Sequence, residues 1–262
     1  MSNTMTTQEV STPSTPSTRT GGVLALMYGA ISYTVFLVAF LYAIGFVGNW
    51  VVPKGIDSGA AKALPEALIV NVLLLGAFAI QHSVMARPGF KKWWTKFVPK
   101  SIERSTFVLF ASLLLLLLYW QWRPIPTVIW AVENSLGQIL LHGLYFLGWL
   151  IVFLSTFMIN HFDLFGLRQV YQNLRYREYT ELGFRTPGFY KFLRHPIMLV
   201  FIIAFWATPV MTGCRLLFAA VTTAYILIAL QLEEHDLTKH FGEQYQEYRR
   251  KTPMLIPRVP KQ

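Results

Sequence analysis

Four short stretches carry most of the side chains that could do chemistry: Gln81-His82, Asn160-His161 with Asp163 close behind, Arg194-His195-Pro196, and Glu233-Glu234. Each lies against an apolar run. Two adjacent carboxylates beside such a run are costly to desolvate, so the Glu pair points to a cationic partner. An imidazole such as His82 or His161 can accept a proton near neutral pH. Arg194 can hold an anion, and the polar segment after the Glu pair adds the phenols of Tyr245 and Tyr248. Pro196 suits the first turn of a helix, where no backbone N–H is needed. The Arg-His-Pro triplet is therefore expected to open a helix, and the Glu pair to end the one that returns. His142 reads as structural, and His235 and His240 as solvated.

The elements that must position these groups are membrane spans. Hydrophobic residues make up 54% of the chain and charged residues 14%, against about 25% charged in soluble domains. Several apolar runs approach the roughly 20 residues needed to cross a bilayer. The composition implies an all-α polytopic membrane protein with about six spans: 23–47, 66–85, 106–122, 136–159, 196–211 and 216–232. Only 212–215 separates the last two, a tight helical hairpin that need not span fully. Tyr119, Trp120 and Trp122 fit an aromatic belt. The Ser-, Thr- and Pro-rich residues 1–20 read as a disordered tail, and 21–262 as a single domain. The first apolar run starts late and is too long for a signal peptide.

The net charge of +10 does not indicate nucleic acid, because the basic residues lie in loops beside apolar spans. Alternate segments hold 19 of the 23 Lys and Arg residues, which places both termini in the cytoplasm. On that topology the polar residues of four helix ends converge on one leaflet, as one site facing the cytosol. A single cysteine, Cys214, excludes an internal disulfide and a cysteine-based metal site; it reads as a bystander on a short turn. No His-x-x-His-His cluster suggests a membrane di-iron centre, and no metal is expected.

The order Arg-His-Pro, helical hairpin, Glu-Glu, Tyr-x-x-Tyr, Pro253-Met254-Leu255-Ile256-Pro257 resembles the isoprenylcysteine carboxyl methyltransferase superfamily of membrane methyltransferases. Three further stretches are similar to its bacterial methanethiol S-methyltransferase branch: 81–88, 102–105, and Asn160-His161-Phe162-Asp163-Leu164-Phe165-Gly166-Leu167-Arg168-Gln169. The resemblance covers nearly everything from Gly22 onward. It implies an S-adenosyl-L-methionine pocket mainly within 190–258 and, as the reaction, methylation of methanethiol to dimethyl sulfide in a bacterial inner membrane.

Under that resemblance, Glu233 or Glu234 would meet the cofactor's cationic or hydroxyl groups, and Arg194 or His195 its carboxylate. Pro196, Leu199, Tyr245 and Tyr248 would complete the pocket. A thiol reacts as its thiolate, so His82 or His161 is nominated as base, with Asp163 orienting one of them or acting itself. Gln81, Asn160, Arg168 and Tyr171 fall on the acceptor side. Methyl transfer is an in-line displacement, favoured by alignment and exclusion of water. The expected partners are a small volatile thiol and the lipid bilayer. Two alternatives stay open. One is another acceptor within the superfamily: a different thiol, a prenylcysteine carboxylate or a phospholipid. The other is a haem-b membrane protein with His82 and His161 as axial ligands.

Overall fold

In hydrocarbon a lone segment can satisfy all of its own backbone groups only as a helix, and the long apolar runs fold accordingly. The computed structural model describes residues 18–180 and 183–256; most of the expected tail, and Pro257 of the terminal motif, lie outside the described residues. Among the described residues, five helices are long and apolar enough to cross a membrane: α1 (Arg19–Gly48), α2 (Leu64–Ala86), α4 (Lys100–Gln121), α5 (Ser135–Ile159) and α9 (Gly213–Phe241). Shorter helices are α3 (Pro88–Trp94), α6 (His161–Leu164), α7 (Leu167–Leu174), α8 (Pro196–Trp206) and α10 (Glu243–Lys251). The protein is an all-α polytopic membrane protein, with apolar side chains such as Leu41, Leu73, Ile80 and Leu140 facing outward where lipid would lie.

Local chemistry sets the helix ends. Thr18 caps α1 through a bond from Gly21 N, and Asn134 caps α5 through bonds from the N–H groups of Leu136 and Gly137. Asn49, at φ 61°, closes α1 in the left-handed region that Asn tolerates. Gly166 (φ 85°) lets the chain turn into α7, with its carbonyl accepting from Ser105 Oγ at 3.4 Å. α1 packs on α4 and α7, and α5 on α8.

Three expectations are corrected. The fifth run, 196–211, is not one helix: α8 has 11 residues and, at 1.5 Å per residue, covers about half of the roughly 30 Å hydrocarbon layer. The chain then extends, and β2 (Val210–Thr212) pairs antiparallel with β1 (Val128–Ala131), which satisfies its backbone. α9 does not stop at the Glu pair but runs on to Phe241, so both carboxylates lie well inside a helix. Finally, of the three expected belt residues only Trp120 is exposed; Tyr119 and Trp122 are buried with Phe46, Leu118, Trp149 and Phe218 in the main core.

That core lies toward the end of the bundle where α9 begins. There Asp57 pairs with Arg215 at 2.8 Å, and Asn71 exchanges hydrogen bonds with the Arg123 backbone at 2.8 and 2.9 Å. Cys214 is fully buried in the first turn of α9; its sulfur accepts from Ile125 N at 2.8 Å and Trp122 Nε1 at 3.3 Å. It acts as a packing residue.

Candidate active site

The nominated groups gather at the opposite end, around the start of α8. Pro196 occupies its first turn, and the extended residues before it run beside the chain that follows α10. Arg194 N donates to Pro253 O at 2.9 Å and His195 N to Met254 O at 3.2 Å. These bonds aim the Arg194 and His195 side chains at α9. Arg194 Nε reaches Glu234 Oε1 at 2.6 Å, and His195 Nε2 lies 3.2 Å from the same oxygen. Arg249 Nε, from α10, lies 3.3 Å from Glu234 Oε2. Glu234 is 4% exposed and neutralised from two sides. Arg194 Nη1 also donates to the carbonyls of Thr252 (2.6 Å) and Arg249 (3.0 Å).

Glu233 differs. Its side chain is 48% exposed, with the His195 imidazole Nδ1 at 3.9 Å. Tyr245 is buried, and its hydroxyl has no partner among the described residues. Burial, with Glu234 nearby, raises its phenol well above the usual value. Tyr248 OH donates to Tyr190 O at 2.5 Å, and burial pushes its pKa up to about 12. Leu199 packs with Ile226, Leu230 and Leu255 as an apolar wall. The structure thus brings together Arg194, His195, Pro196, Leu199, Glu233, Glu234, Tyr245 and Tyr248.

The remaining nominees form two further groups. His161, 2% exposed, is enclosed by Phe153, Phe157 and Phe165. Its Nδ1 lies 2.7 Å from Thr156 Oγ1 and its Nε2 lies 2.7 Å from Tyr33 OH. Thr156 uses its only hydroxyl proton on Phe153 O at 2.6 Å. It must therefore accept from Nδ1–H, which leaves Nε2 to accept from Tyr33. Burial lowers the His161 pKa, keeping the ring neutral. With both nitrogens engaged, His161 has no lone pair free for a haem iron. Asp163 is not what orients it: Oδ1 accepts from Arg168 (3.2 Å) and Gln169 (3.3 Å), and Oδ2 from Tyr179 OH (3.2 Å). Asn160 caps α6 by accepting from Asp163 N, and Tyr171 is exposed on α7.

The third group lies between α2 and α4. His82 stacks on Phe78 at 5.3 Å and contacts Phe107 at 4.9 Å between ring centroids. Its Nδ1 and the neighbouring Gln81 Oε1 are buried without partners among the described residues, while Gln81 Nε2 donates weakly to Met85 Sδ at 3.1 Å. Ser83 to Tyr225 (3.3 Å) and Arg87 to Asp236 (2.8 Å) tie this end of α2 to α9.

Over 234 residues the chain is 60% identical to the methanethiol S-methyltransferase of Mycobacterium tuberculosis, an alignment covering 89% of this chain and 96% of that one. The chain belongs to the methanethiol S-methyltransferase family. Methanethiol S-methyltransferase 2 of Bradyrhizobium diazoefficiens is 59% identical over 234 residues, 89% of this chain and 90% of its own. A remoter relative is Nurim of Bos taurus, 29% identical over 185 residues, 65% of this chain and 68% of Nurim. No family model matches the chain, and no solved structure matches it. Membership bears out the branch that Asn160–Gln169 resembled.

Sequence reasoning missed Tyr33, Thr156, Tyr179, Arg249 and Arg104. A hydroxyl at Tyr33 within an uncharged span was a readable signal for the first. Arg104 was read as a loop charge, but α4 begins at Lys100 and carries it into the bundle.

Proposed function

We propose that this protein methylates methanethiol to dimethyl sulfide, with S-adenosyl-L-methionine as the methyl donor. Its 60% identity over 234 residues to a protein named for that reaction carries the reading. Support comes from the assembled end of the bundle. The donor would bring a methyl group on a sulfonium sulfur, together with a ribose diol, an adenine and an amino-acid carboxylate. The residues at α8, α9 and α10 fit such a molecule: the Tyr245 hydroxyl is buried and unpartnered among the described residues, the Glu233 carboxylate stands open near His195, and Leu199, Ile226 and Leu255 offer an apolar wall. We assign Glu233 to the donor's cationic or hydroxyl groups.

Glu234 and Arg194 hold one another, so their part is to brace α8 against α9 and keep His195 aimed inward. The terminal amine of Arg194 that makes no bond among the described residues remains for a carboxylate. Aromatic rings around His82 and His161 keep water from the acceptor, which is the condition under which alignment lowers the barrier most. Positive-inside charge supports a site on the cytosolic leaflet of the bacterial inner membrane, with both termini cytoplasmic.

Headspace gas chromatography of the detergent-purified protein, given S-adenosyl-L-methionine and methanethiol, tests the reading. Dimethyl sulfide from wild type, and its loss in Glu233→Ala, is the expected result. Cofactor binding by calorimetry without dimethyl sulfide would refute the acceptor, and no binding would refute the methyltransferase reading.

A further inference from the structure

Arg104 stands on the second turn of α4, deep among protein atoms but not sealed from the surface. Its Nε donates to Leu164 O at 2.8 Å, and its guanidinium lies over the Phe107 ring, 4.8 Å from the centroid. Among the described residues no carboxylate pairs with it, and no group accepts from its accessible terminal amines. The charged and titratable groups that face it are Glu103 on its own helix, Asp163 on α6, Tyr179 in the loop after α7, and His82 on α2. Asp163, the nearest candidate from another element, is already committed to Arg168, Gln169 and Tyr179. The accessible terminal amines of Arg104 are therefore free to take an anion.

What lies beside Arg104 suits a very small apolar anion. Phe107 carries the guanidinium and also meets His82, whose Nδ1 is buried and unpartnered, as is Gln81 Oε1. Arg194 cannot play the same part freely, since its Nε and Nη1 are spent on Glu234 and two carbonyls. We propose that Arg104 holds the acceptor as its thiolate, over Phe107 and beside His82 and Gln81. The proposal rests on the thiol-methylation reading above.

The step balances simply. The acceptor's S–H bond breaks, its proton passes to bulk water, and the electron pair stays on sulfur against the guanidinium. That pair forms the new S–C bond while the donor's S–C bond breaks, leaving its electrons on the donor's sulfur. A cysteine thiol titrates near 8.5, and a simple alkanethiol, which lacks the electron-withdrawing backbone, titrates higher still and is almost wholly protonated at neutral pH; an adjacent guanidinium is one of the environments that lower a thiol's pKa.

The test compares wild type with Arg104→Gln and Arg104→Lys, by dimethyl sulfide release across pH and by cofactor calorimetry. Arg104→Gln is expected to lower kcat/KM for methanethiol at neutral pH by about a hundredfold, a typical loss for one charge-stabilising donor. The limb of kcat/KM that rises with pH should move up by about one unit or more. The dissociation constant for S-adenosyl-L-methionine should stay within about twofold, and Arg104→Lys should restore the limb by keeping the charge. Should Arg104→Gln fail to fold, thiocyanate with wild type still decides: it should compete with methanethiol and not with the cofactor. Weakened cofactor binding with an unmoved limb, or thiocyanate competing with the cofactor, would show that Arg104 holds the donor's carboxylate and would overturn the proposal. Wild-type kinetics in Arg104→Gln would overturn it too. Absence of dimethyl sulfide from wild type would instead sink the functional reading.

Discussion

The Arg194–Glu234 pair should be the strongest single tie between α8 and α9, and a double-mutant cycle can measure it. The pair is buried, at 2.6 Å, and removing one member of such a pair typically costs about 3–5 kcal/mol. Both single variants should fall below the top of that range, because neither leaves its partner bare. In Glu234→Gln the guanidinium keeps the Thr252 and Arg249 carbonyls, so about 3 kcal/mol is expected. In Arg194→Met the carboxylate keeps Arg249 at 3.3 Å and His195 at 3.2 Å, so about 2 kcal/mol is expected. The double variant removes both charges together and should lose less than the sum by about 2 kcal/mol. Thermal unfolding in detergent, followed by tryptophan emission, reads this out. At about 2–4 °C per kcal/mol, Glu234→Gln should lower Tm by about 6–12 °C. Additivity within about 0.5 kcal/mol would refute the pairing.

Two further predictions concern groups away from that pair. Burial lowers the folded pKa of His161, so the unfolded chain takes up a proton first; stability should be present above about pH 6.5 and fall as the pH drops below it. Tm measured between pH 7.5 and 5.5 should decline less steeply in His161→Gln than in wild type, and parallel slopes would contradict the assignment. At the other end, Asp57→Ala strips the carboxylate from Arg215, which retains Thr208 Oγ1 and Gly48 O. It should cost about 2–3 kcal/mol in stability, with cofactor affinity and turnover per folded molecule unchanged; a shifted dissociation constant would show that the two ends are coupled.

The long spans were legible because hydropathy and length decide them: the starts and ends of α1, α2 and α5 fall within about four residues of the expected runs. Hydropathy marks where hydrocarbon ends, however, and that is a different quantity from where a helix ends. The expected sixth span stopped at Leu232, where apolar character stops, yet α9 continues to Phe241 because a helix needs only good backbone geometry and suitable side chains. The same confusion at the other end of a span hid Arg104, which reads as a loop charge beside Lys100 but occupies a helical turn inside the bundle. The run 196–211 failed for a third reason. An apolar stretch is compatible with helix or buried strand; Pro209 keeps α8 from running on, and β1, some eighty residues upstream, draws Val210–Thr212 into a strand.

The Glu233-Glu234 dipeptide shows most clearly what spacing cannot carry. Read as adjacent carboxylates, the two are interchangeable, and either could face a cationic ligand. Inside a helix, neighbours point about 100° apart, so they cannot share one partner's face. The continuation of α9 past the pair therefore forces a division of labour. Glu234 turns toward Arg194 and Arg249 and is neutralised there, while Glu233 keeps half of its side chain open next to His195. A carboxylate already matched by two guanidinium groups has little left for a sulfonium, whereas the half-exposed Glu233 remains open to one. On this argument Glu233→Gln should weaken cofactor binding with little change in Tm, and Glu234→Gln should do the reverse. Equal effects of the two on both measurements would mean that the pair works as a unit after all.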